Sequence, residues 1–104
     1  MAIAHRGEID ATIGGEVMTL CLTLGALAEL ESRLEAGDLV GLAERFSAGR
    51  TSARDLTAIL GAGLRGGGHA ITDDDLARLS IEGGLKGAAE IAVRLLKASF
   101  GETA

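Results

Sequence analysis

The sequence has very few aromatic residues and no proline. Its 104 residues include two phenylalanines and neither tryptophan nor tyrosine. The hydrophobic share of 47% must therefore form an aliphatic interior, and the length suffices for one such core but not for two. Because proline is missing, other residues have to separate the elements, and sixteen glycines can do so. We expect a single domain over residues 7–100, with flexible ends at 1–6 and 101–104.

Cysteine, histidine and long apolar runs are also scarce, which excludes several classes of protein. Cys21 is the single cysteine, so neither an internal disulfide nor a cysteine-based zinc cluster can form. The two histidines, His5 and His69, lack the spacing of a metal site. No segment approaches the roughly 20 apolar residues of a membrane span, and the first residues lack a signal-peptide core. We therefore expect a cytoplasmic protein that does not enter the membrane.

Positive charge is in deficit as well. Ten Lys and Arg residues stand against fifteen Asp and Glu residues, which gives a net charge of −5. A nucleic-acid-binding surface needs clustered positive charge to neutralise phosphates. The acidic balance therefore argues against nucleic acid as the main partner, and it suits solubility.

Residues 7–23 predict a two-stranded antiparallel β-hairpin. Polar and apolar side chains alternate on both sides of Gly14 and Gly15, a pattern typical of a tight hairpin turn. With the two glycines in the turn, the predicted pairs are Gly7 with Leu22, Glu8 with Cys21, Ile9 with Leu20, Asp10 with Thr19, and Ala11 with Met18. A shift of one residue would move the apolar side chains to the polar face, so this register is specific.

Four or five short α-helices are predicted after the hairpin, most of them between a capping residue and a glycine. Their predicted limits are Leu24 to about Glu35 after Thr23, a short helix between Asp38 and Gly49, Ser52 to about Arg65, a short helix between Thr72 and Gly83, and about Leu85 to Phe100. Apolar residues recur at helical spacing in these segments, which gives each helix a face for the core. The predicted fold class is α+β and mostly helical.

Gly61, Gly63 and Gly66 match the G-x-G-x-x-G pattern of dinucleotide-binding loops. Such a loop follows a strand and begins a helix, so that phosphate meets the helix N-terminus. These glycines instead lie at the C-terminal end of a predicted helix, where the helix dipole has the wrong sign. Close helix packing followed by a helix stop is the better interpretation.

The remaining chemistry-bearing residues predict no catalytic site. The acidic run from Asp73 to Asp75 lacks the spacing of a calcium loop and is typical of the first turn of a helix. A set of base, nucleophile and oxyanion donors cannot be assembled from the motifs. We therefore expect a protein that is not an enzyme and that has no cofactor and no metal site.

Two groups of apolar helix residues are candidates for binding a partner protein. They are Leu24, Leu27 and Leu34 in the first predicted helix, and Leu95, Leu96 and Phe100 in the last. Apolar stripes on helices usually face the core. Both a contact surface and a place in the core therefore stay open for each group.

Several short segments follow one another in a distinctive order. They are Arg6-Gly7-Glu8, the Gly14-Gly15 turn, LTLGALAELESRL at 22–34, GDLVGLAERF at 37–46, ILGAGLRGGG at 59–68, the start Thr72-Asp73-Asp74-Asp75, and GGLKGAAEIAVRLLKASF at 83–100. Over about residues 6–100 this series resembles the small gene transfer agent family, phage-like tail proteins that are also grouped with phage tail assembly chaperones.

The resemblance implies a non-catalytic role in phage-type tail morphogenesis, in a gene transfer agent or a prophage. It implies a tail assembly chaperone that binds the tape measure protein, keeps it soluble and helps to recruit tube subunits, in contact with assembling phage-like particles. A structural, tube-associated subunit that self-assembles through its hairpin is the alternative, although tube subunits are usually larger and richer in strands. An unrelated regulatory binding module is disfavoured by the acidic balance and by the lack of a basic recognition helix. The oligomeric state stays open.

Overall fold

The computed structural model describes residues 7–33, 39–50 and 52–100. Within these ranges the chain forms a two-stranded sheet followed by five helices. The elements are β1 (Glu8–Ile13), β2 (Glu16–Cys21), α1 (Leu24–Arg33), α2 (Leu39–Ser47), α3 (Ala53–Gly66), α4 (Asp73–Ala77) and α5 (Gly84–Ser99). The predicted class, α+β and mostly helical with an N-terminal hairpin, is confirmed.

The two strands pair in the predicted register. Ile9 lies opposite Leu20, and the other pairs predicted within β1 and β2 are formed as well. Gly14 and Gly15 both have positive φ, 63° and 84°. A two-residue turn of this kind matches the twist of the strands and is avoided by residues that carry a Cβ. The turn chemistry and the alternation of side chains therefore set the same register.

Helices cover the apolar face of the hairpin. α3 packs against β2, α5 packs against β1, and the two helices also pack against each other. The large side chains with almost no exposed surface are Ile13, Leu20, Leu30, Leu42, Ile59, Leu60, Leu64, Leu95 and Leu96. Each such side chain contributes roughly 1.5–3 kcal/mol on burial. The interior is aliphatic, as predicted, and Phe46 is the one aromatic side chain buried among the described residues.

The outer helices extend this core. α1 packs on α3 and buries Ala26 and Leu30, whereas α2 packs on α5 and buries Leu42, Ala43 and Phe46. The short helix α4 lies against α3. Within the described part of the chain, no helix combines the length and the apolar character needed to cross a bilayer.

Three helices begin at predicted capping residues. Thr23 Oγ1 accepts a backbone N–H of the first turn of α1 at 3.1 Å, and Ser52 Oγ does the same for α3 at 3.3 Å. Thr72 and Asp75 form a complete capping box, because each side chain accepts a hydrogen bond from the backbone N–H of the other. The predicted cap at Asp38 lies outside the described residues.

Two leucines that belong to apolar helical stripes in the sequence are exposed in the structure. Leu24 is 86% exposed and Leu85 is 52% exposed. Both lie in the first turn of a helix, and the buried residues begin further along, at Ala26 in α1 and at Ala88 in α5. The core position expected for Leu85 is therefore wrong, and of the two positions left open for Leu24 the structure shows the exposed one. A helical period fixes which residues share a face, but not where the neighbouring element ends.

Candidate functional site: an apolar groove between two helices

A groove of about 700 Å³ lies between the C-terminal part of α2 and α5. Phe46 and Ala89 are buried at its base, Val93 is half-buried, and Leu85 is exposed. Leu85, Ala89 and Val93 follow one another at intervals of four residues, so they form one row along α5. We call these three residues the apolar row. The groove is thus an open, mostly apolar surface with helical spacing.

The groove is lined more by α5 than by α2. α2 ends at Ser47, and Gly49, with a φ of 84°, turns the chain out of the helix. α2 and the residues just after it therefore offer only Phe46, Ser47 and Gly49 to the groove. α5 lines it over more than two turns, from Leu85 to Arg94.

A second, smaller cleft of about 330 Å³ lies between α3, α4 and α5 and adjoins the groove at Leu85, which lines both. None of the described residues that line the cleft carries a charge. Its large apolar side chains are Leu56, Leu60, Leu76, Leu79 and Ile81. Leu85 therefore stands at the junction of two apolar depressions.

Three charged residues of α5 border the groove: Lys86, Glu90 and Arg94. They are exposed and lie four residues apart, so they form a charged row beside the apolar row. Nη2 of Arg94 donates a hydrogen bond to the backbone oxygen of Asp10 at 3.0 Å, which positions this guanidinium. Neither Lys86 nor Glu90 forms an ion pair with a described residue.

The residues predicted to bind a partner, as far as the structure describes them, do not line this groove. Leu24 is the most exposed large apolar residue of the described chain, Leu27 is half-buried, and Phe100 is 36% exposed. Leu34 lies outside the described residues. None of the described members of the two predicted groups lines the groove.

Leu95 and Leu96 form part of the core, and a partner cannot reach them in this fold. Both side chains are fully buried. Leu95 packs so close to α3 that a Cβ on Gly63 would collide with it. Of the two positions left open for Leu95 and Leu96, the structure shows the core, because α5 packs against α3 and the hairpin.

The sequence does not identify the groove residues as a binding surface. Phe46 and Leu85 belong to stripes that predict core positions, and Lys86 reads as a solvated charge. One local signal is present: Leu85 follows Gly83 and Gly84 directly and lies in the first turn of α5. Only the packing of α2 on α5 makes this residue part of a groove.

The outer edge of β2 is covered by the C-terminal end of α3. Gly66 lies against the carbonyl oxygen of Cys21, and Gly67 lies against that of Thr19. The approach is so close that a Cβ on either glycine would collide with these oxygen atoms. This edge therefore offers little room for a further strand.

The outer edge of β1 is contacted as well. Ile13 forms an isolated antiparallel bridge with Ile81, and the N–H of Gly14 donates to the oxygen of Ser80 at 2.9 Å. The hydrogen bond from Arg94 occupies a backbone oxygen further along the same strand. Both edges of the hairpin are thus partly engaged within the chain.

The glycine motif in α3 is explained by packing. Gly61 leaves room for the carboxylate of Asp73, Gly63 for the side chain of Leu95, and Gly66 for the backbone of β2. All three lie in the C-terminal half of α3, and the helix ends at Gly66. The packing interpretation of the G-x-G-x-x-G pattern is confirmed.

Four charged side chains link α1, α3 and α4. Nη2 of Arg33 lies 2.7 Å from Oδ2 of Asp73, and Arg65 reaches both Oδ1 of Asp73, at 3.0 Å, and Oε2 of Glu29, at 3.2 Å. Burial alone would raise the pKa of Asp73, but the hydrogen bonds and positive charges of the two arginines outweigh it and lower this pKa. The carboxylates of Asp73 and Glu29 therefore take part in ion pairs that join the three helices.

Neither Cys21 nor a cluster of metal-ligating side chains forms a reactive site among the described residues. Burial, and then the negative charge of Glu8, raise the pKa of the Cys21 thiol, which disfavours the reactive thiolate. No group of three or more His, Cys, Asp or Glu side chains within the described ranges is placed to hold a metal ion. The open apolar groove is therefore the feature best suited to function.

Comparison with known proteins gives a match over nearly the whole chain. The sequence model of a family described as "Phage tail tube protein, GTA-gp10" matches residues 6–102. No curated protein and no solved structure matches the chain significantly.

Proposed function

The chain belongs to the family of phage tail tube proteins described as GTA-gp10, and we propose that it acts as a non-catalytic tail assembly chaperone. In this role it binds the tape measure protein, keeps that long protein soluble, and helps to recruit tube subunits. It binds tail proteins before they enter the particle, in the cytoplasm of a cell that produces a gene transfer agent or carries a prophage.

The open apolar groove between α2 and α5 is the observation that carries this proposal. A chaperone that holds an aggregation-prone partner needs apolar surface that stays accessible in its own folded state. Amphipathic helices dock their apolar faces into grooves of this kind. Leu85, half exposed between the groove and the adjoining cleft, supplies such a surface, and the charged row beside it keeps the surface hydrated without a partner.

A structural, tube-associated subunit is the second candidate, and the description of the family favours it. Growth by strand addition needs a free sheet edge on which backbone groups can pair. In this chain Gly66 contacts the backbone of β2, and Arg94 and Ile81 contact that of β1. The hairpin edges therefore support self-assembly less well than the groove supports partner binding.

Co-expression with the tape measure protein encoded beside this gene tests the proposal. We expect the soluble fraction of the tape measure protein to rise and the two proteins to co-purify. The control is the same tape measure protein expressed with an unrelated acidic protein of similar size, which should leave it insoluble.

Two results would count against the chaperone role. One is an unchanged soluble fraction together with no co-purification. The other is assembly of the purified chain alone into rings or tubes, visible by electron microscopy at high concentration, which would favour the structural subunit.

A further inference from the structure

The residues of the α2/α5 groove indicate which kind of partner segment can bind there. This inference rests on the proposed function. We infer that the groove binds one amphipathic helix of the tail partner, and that the flank of this helix carries acidic, basic and acidic side chains at four-residue intervals. Two rows on α5 lead to this conclusion: the apolar row, Leu85, Ala89 and Val93, and the charged row, Lys86, Glu90 and Arg94.

The apolar row favours a helix as the occupant. Its residues recur every four positions over more than two turns, and a second helix presents its own apolar side chains with the same period. Ala89 is small and lies between two larger residues, Leu85 and Val93, so the middle of the row is a depression that an apolar side chain can enter. Phe46 closes the base of this depression.

The charged row decides which amphipathic helix fits. Its order is positive, negative, positive, and successive residues are separated by about 6 Å along the helix axis. A partner helix with the opposite order at the same spacing can pair with all three charges, whereas one with the same order is repelled. The chain has a net charge of −5, so two cations beside its open apolar groove are a local departure from its overall acidity.

The positions of the charges also bear on how the helix lies. Arg94 is held by its hydrogen bond to Asp10, so one cation is partly ordered before binding, which reduces the entropy lost on association. The charge order reads the same in both directions and does not select the direction of the partner helix. The cleft beyond Leu85 has no charged lining residue among those described, so the partner must be apolar at that end.

A charge-reversal double variant tests the charged row. Lys86→Glu with Arg94→Glu makes the row uniformly negative, so two attractions become repulsions, and we expect affinity for the tape measure protein to fall about tenfold or more. The matched control is Arg78→Glu with Lys97→Glu. This control changes the net charge by the same amount at exposed positions that line neither the groove nor the cleft. Its affinity should stay within about twofold of wild type.

The single variant Lys86→Glu guards against a folding artefact. Arg94→Glu also removes the hydrogen bond to Asp10, whereas Lys86 has no ion pair with a described residue to lose. We expect the single variant to unfold at the wild-type urea concentration and still to bind several-fold more weakly. Recovery of binding when the acidic residues on the flank of the partner helix are exchanged for lysine would support the inference further.

The outcomes separate this inference from the proposed function. If wild type does not bind the tape measure protein, the proposed function fails and the inference falls with it. If wild type binds and the Lys86/Arg94 variant binds equally well, the inference alone is overturned. Equal loss in both double variants would also overturn it, since general acidity would then account for the loss. Light scattering could also show that wild type is a dimer and that the Lys86/Arg94 variant is a monomer. This result would overturn the inference, because the groove would then be a contact between two copies of the chain.

Discussion

Missing Cβ atoms set how closely α3 approaches its neighbours. Gly66 lies against the backbone of β2, and Gly61 lies against the carboxylate of Asp73, which pairs with Arg33 and Arg65. Both contacts join parts of the chain that are distant in sequence. Substitutions at these positions therefore act on tertiary packing and not on local helix formation alone.

We predict that Gly66→Ala destabilises the protein. The new Cβ would collide with the carbonyl oxygen of Cys21, a backbone atom that cannot rotate away. Overpacking of this kind costs about 1–3 kcal/mol and outweighs the helix-propensity gain of alanine, which is at most about 1 kcal/mol. Urea-induced unfolding followed by circular dichroism measures the change in the free energy of unfolding.

Gly25→Ala in α1 is the matched control for this substitution. A Cβ there would meet only Thr23 Oγ1, at 3.8 Å, which is an ordinary contact. The free energy of unfolding should stay equal or rise by up to about 1 kcal/mol. If both glycine variants were as stable as wild type, the close approach of α3 to β2 would be contradicted.

Asp73 gives the stability a predicted pH dependence. Because the arginines lower its pKa in the folded state, its contribution is present above the unfolded-state pKa of about 3.9 and is lost as pH falls through the folded pKa. Asp73→Asn should therefore reduce the free energy of unfolding by on the order of 1 kcal/mol at pH 7. The gap to wild type should narrow below about pH 4.

Asp74→Asn is the control, because Asp74 lies in the same first turn of α4 but is exposed and outside the ion pairs. Both variants lose a helix-dipole interaction, which is worth about 0.3–1 kcal/mol, but only Asp73→Asn also loses its pairs with Arg33 and Arg65. Denaturation series at pH 7 and pH 3 compare the two. A gap for Asp73→Asn that is equally wide at both pH values would count against the pairing.

Among the elements, those whose determinants are local follow from the sequence. The hairpin register depends on alternation over a few residues and on Gly14 and Gly15, and all of these can be read directly. The capping residues Ser52 and Thr72 likewise act on the N–H groups three residues later. The buried face of each helix is predicted less accurately. Leu24, for example, has the helical spacing of its apolar stripe and yet is exposed.

The capping box of α4 is expected to hold this short helix together. α4 has five residues, which is too short to be stable without tertiary contacts and caps. Thr72→Ala removes the acceptor for the N–H of Asp75, so we expect a loss of about 1 kcal/mol in the free energy of unfolding. We also expect faster hydrogen exchange at residues 73–77, measured by NMR.

Thr57→Ala in α3 is the corresponding threonine control. Thr57 Oγ1 donates to the oxygen of Ala53 at 2.8 Å, within one helix, and alanine has the higher helix propensity. Stability should therefore change by less than about 0.5 kcal/mol. Equal effects of the two threonine substitutions would argue against a special role for the cap.

For the whole molecule, the arrangement of helices could not be predicted from sequence patterns. α2 packs on α5, which begins 37 residues after α2 ends (84 against 47), and no local pattern encodes that pairing. The groove is formed by this packing. From sequence patterns alone, its residues are therefore predicted to be either core residues or solvated charges. Leu95 and Leu96 are the opposite case. Their helical spacing fits a partner-binding stripe as well as the core, and the structure buries both.

Three matched substitutions on exposed apolar residues would locate the partner surface. Leu85 borders the groove, Leu24 lies on the first turn of α1, and Val17, 73% exposed, lies on β2. Each can be replaced by glutamate with little effect on stability, since exposed positions usually change it by less than about 0.5 kcal/mol. We predict that only Leu85→Glu lowers affinity for the tape measure protein, by about tenfold or more, because docking would bury its carboxylate in an apolar groove.

Titration of labelled tape measure protein with each variant, under identical salt, measures these affinities. Val17→Glu controls for the added charge, because β2 takes no part in the groove. A loss confined to Leu24→Glu would move the binding surface to α1, where the sequence first suggested it, and would leave the groove without a role. Equal affinity of all three variants would exclude both leucines as contacts, because a buried apolar contact rarely tolerates an ionised carboxylate.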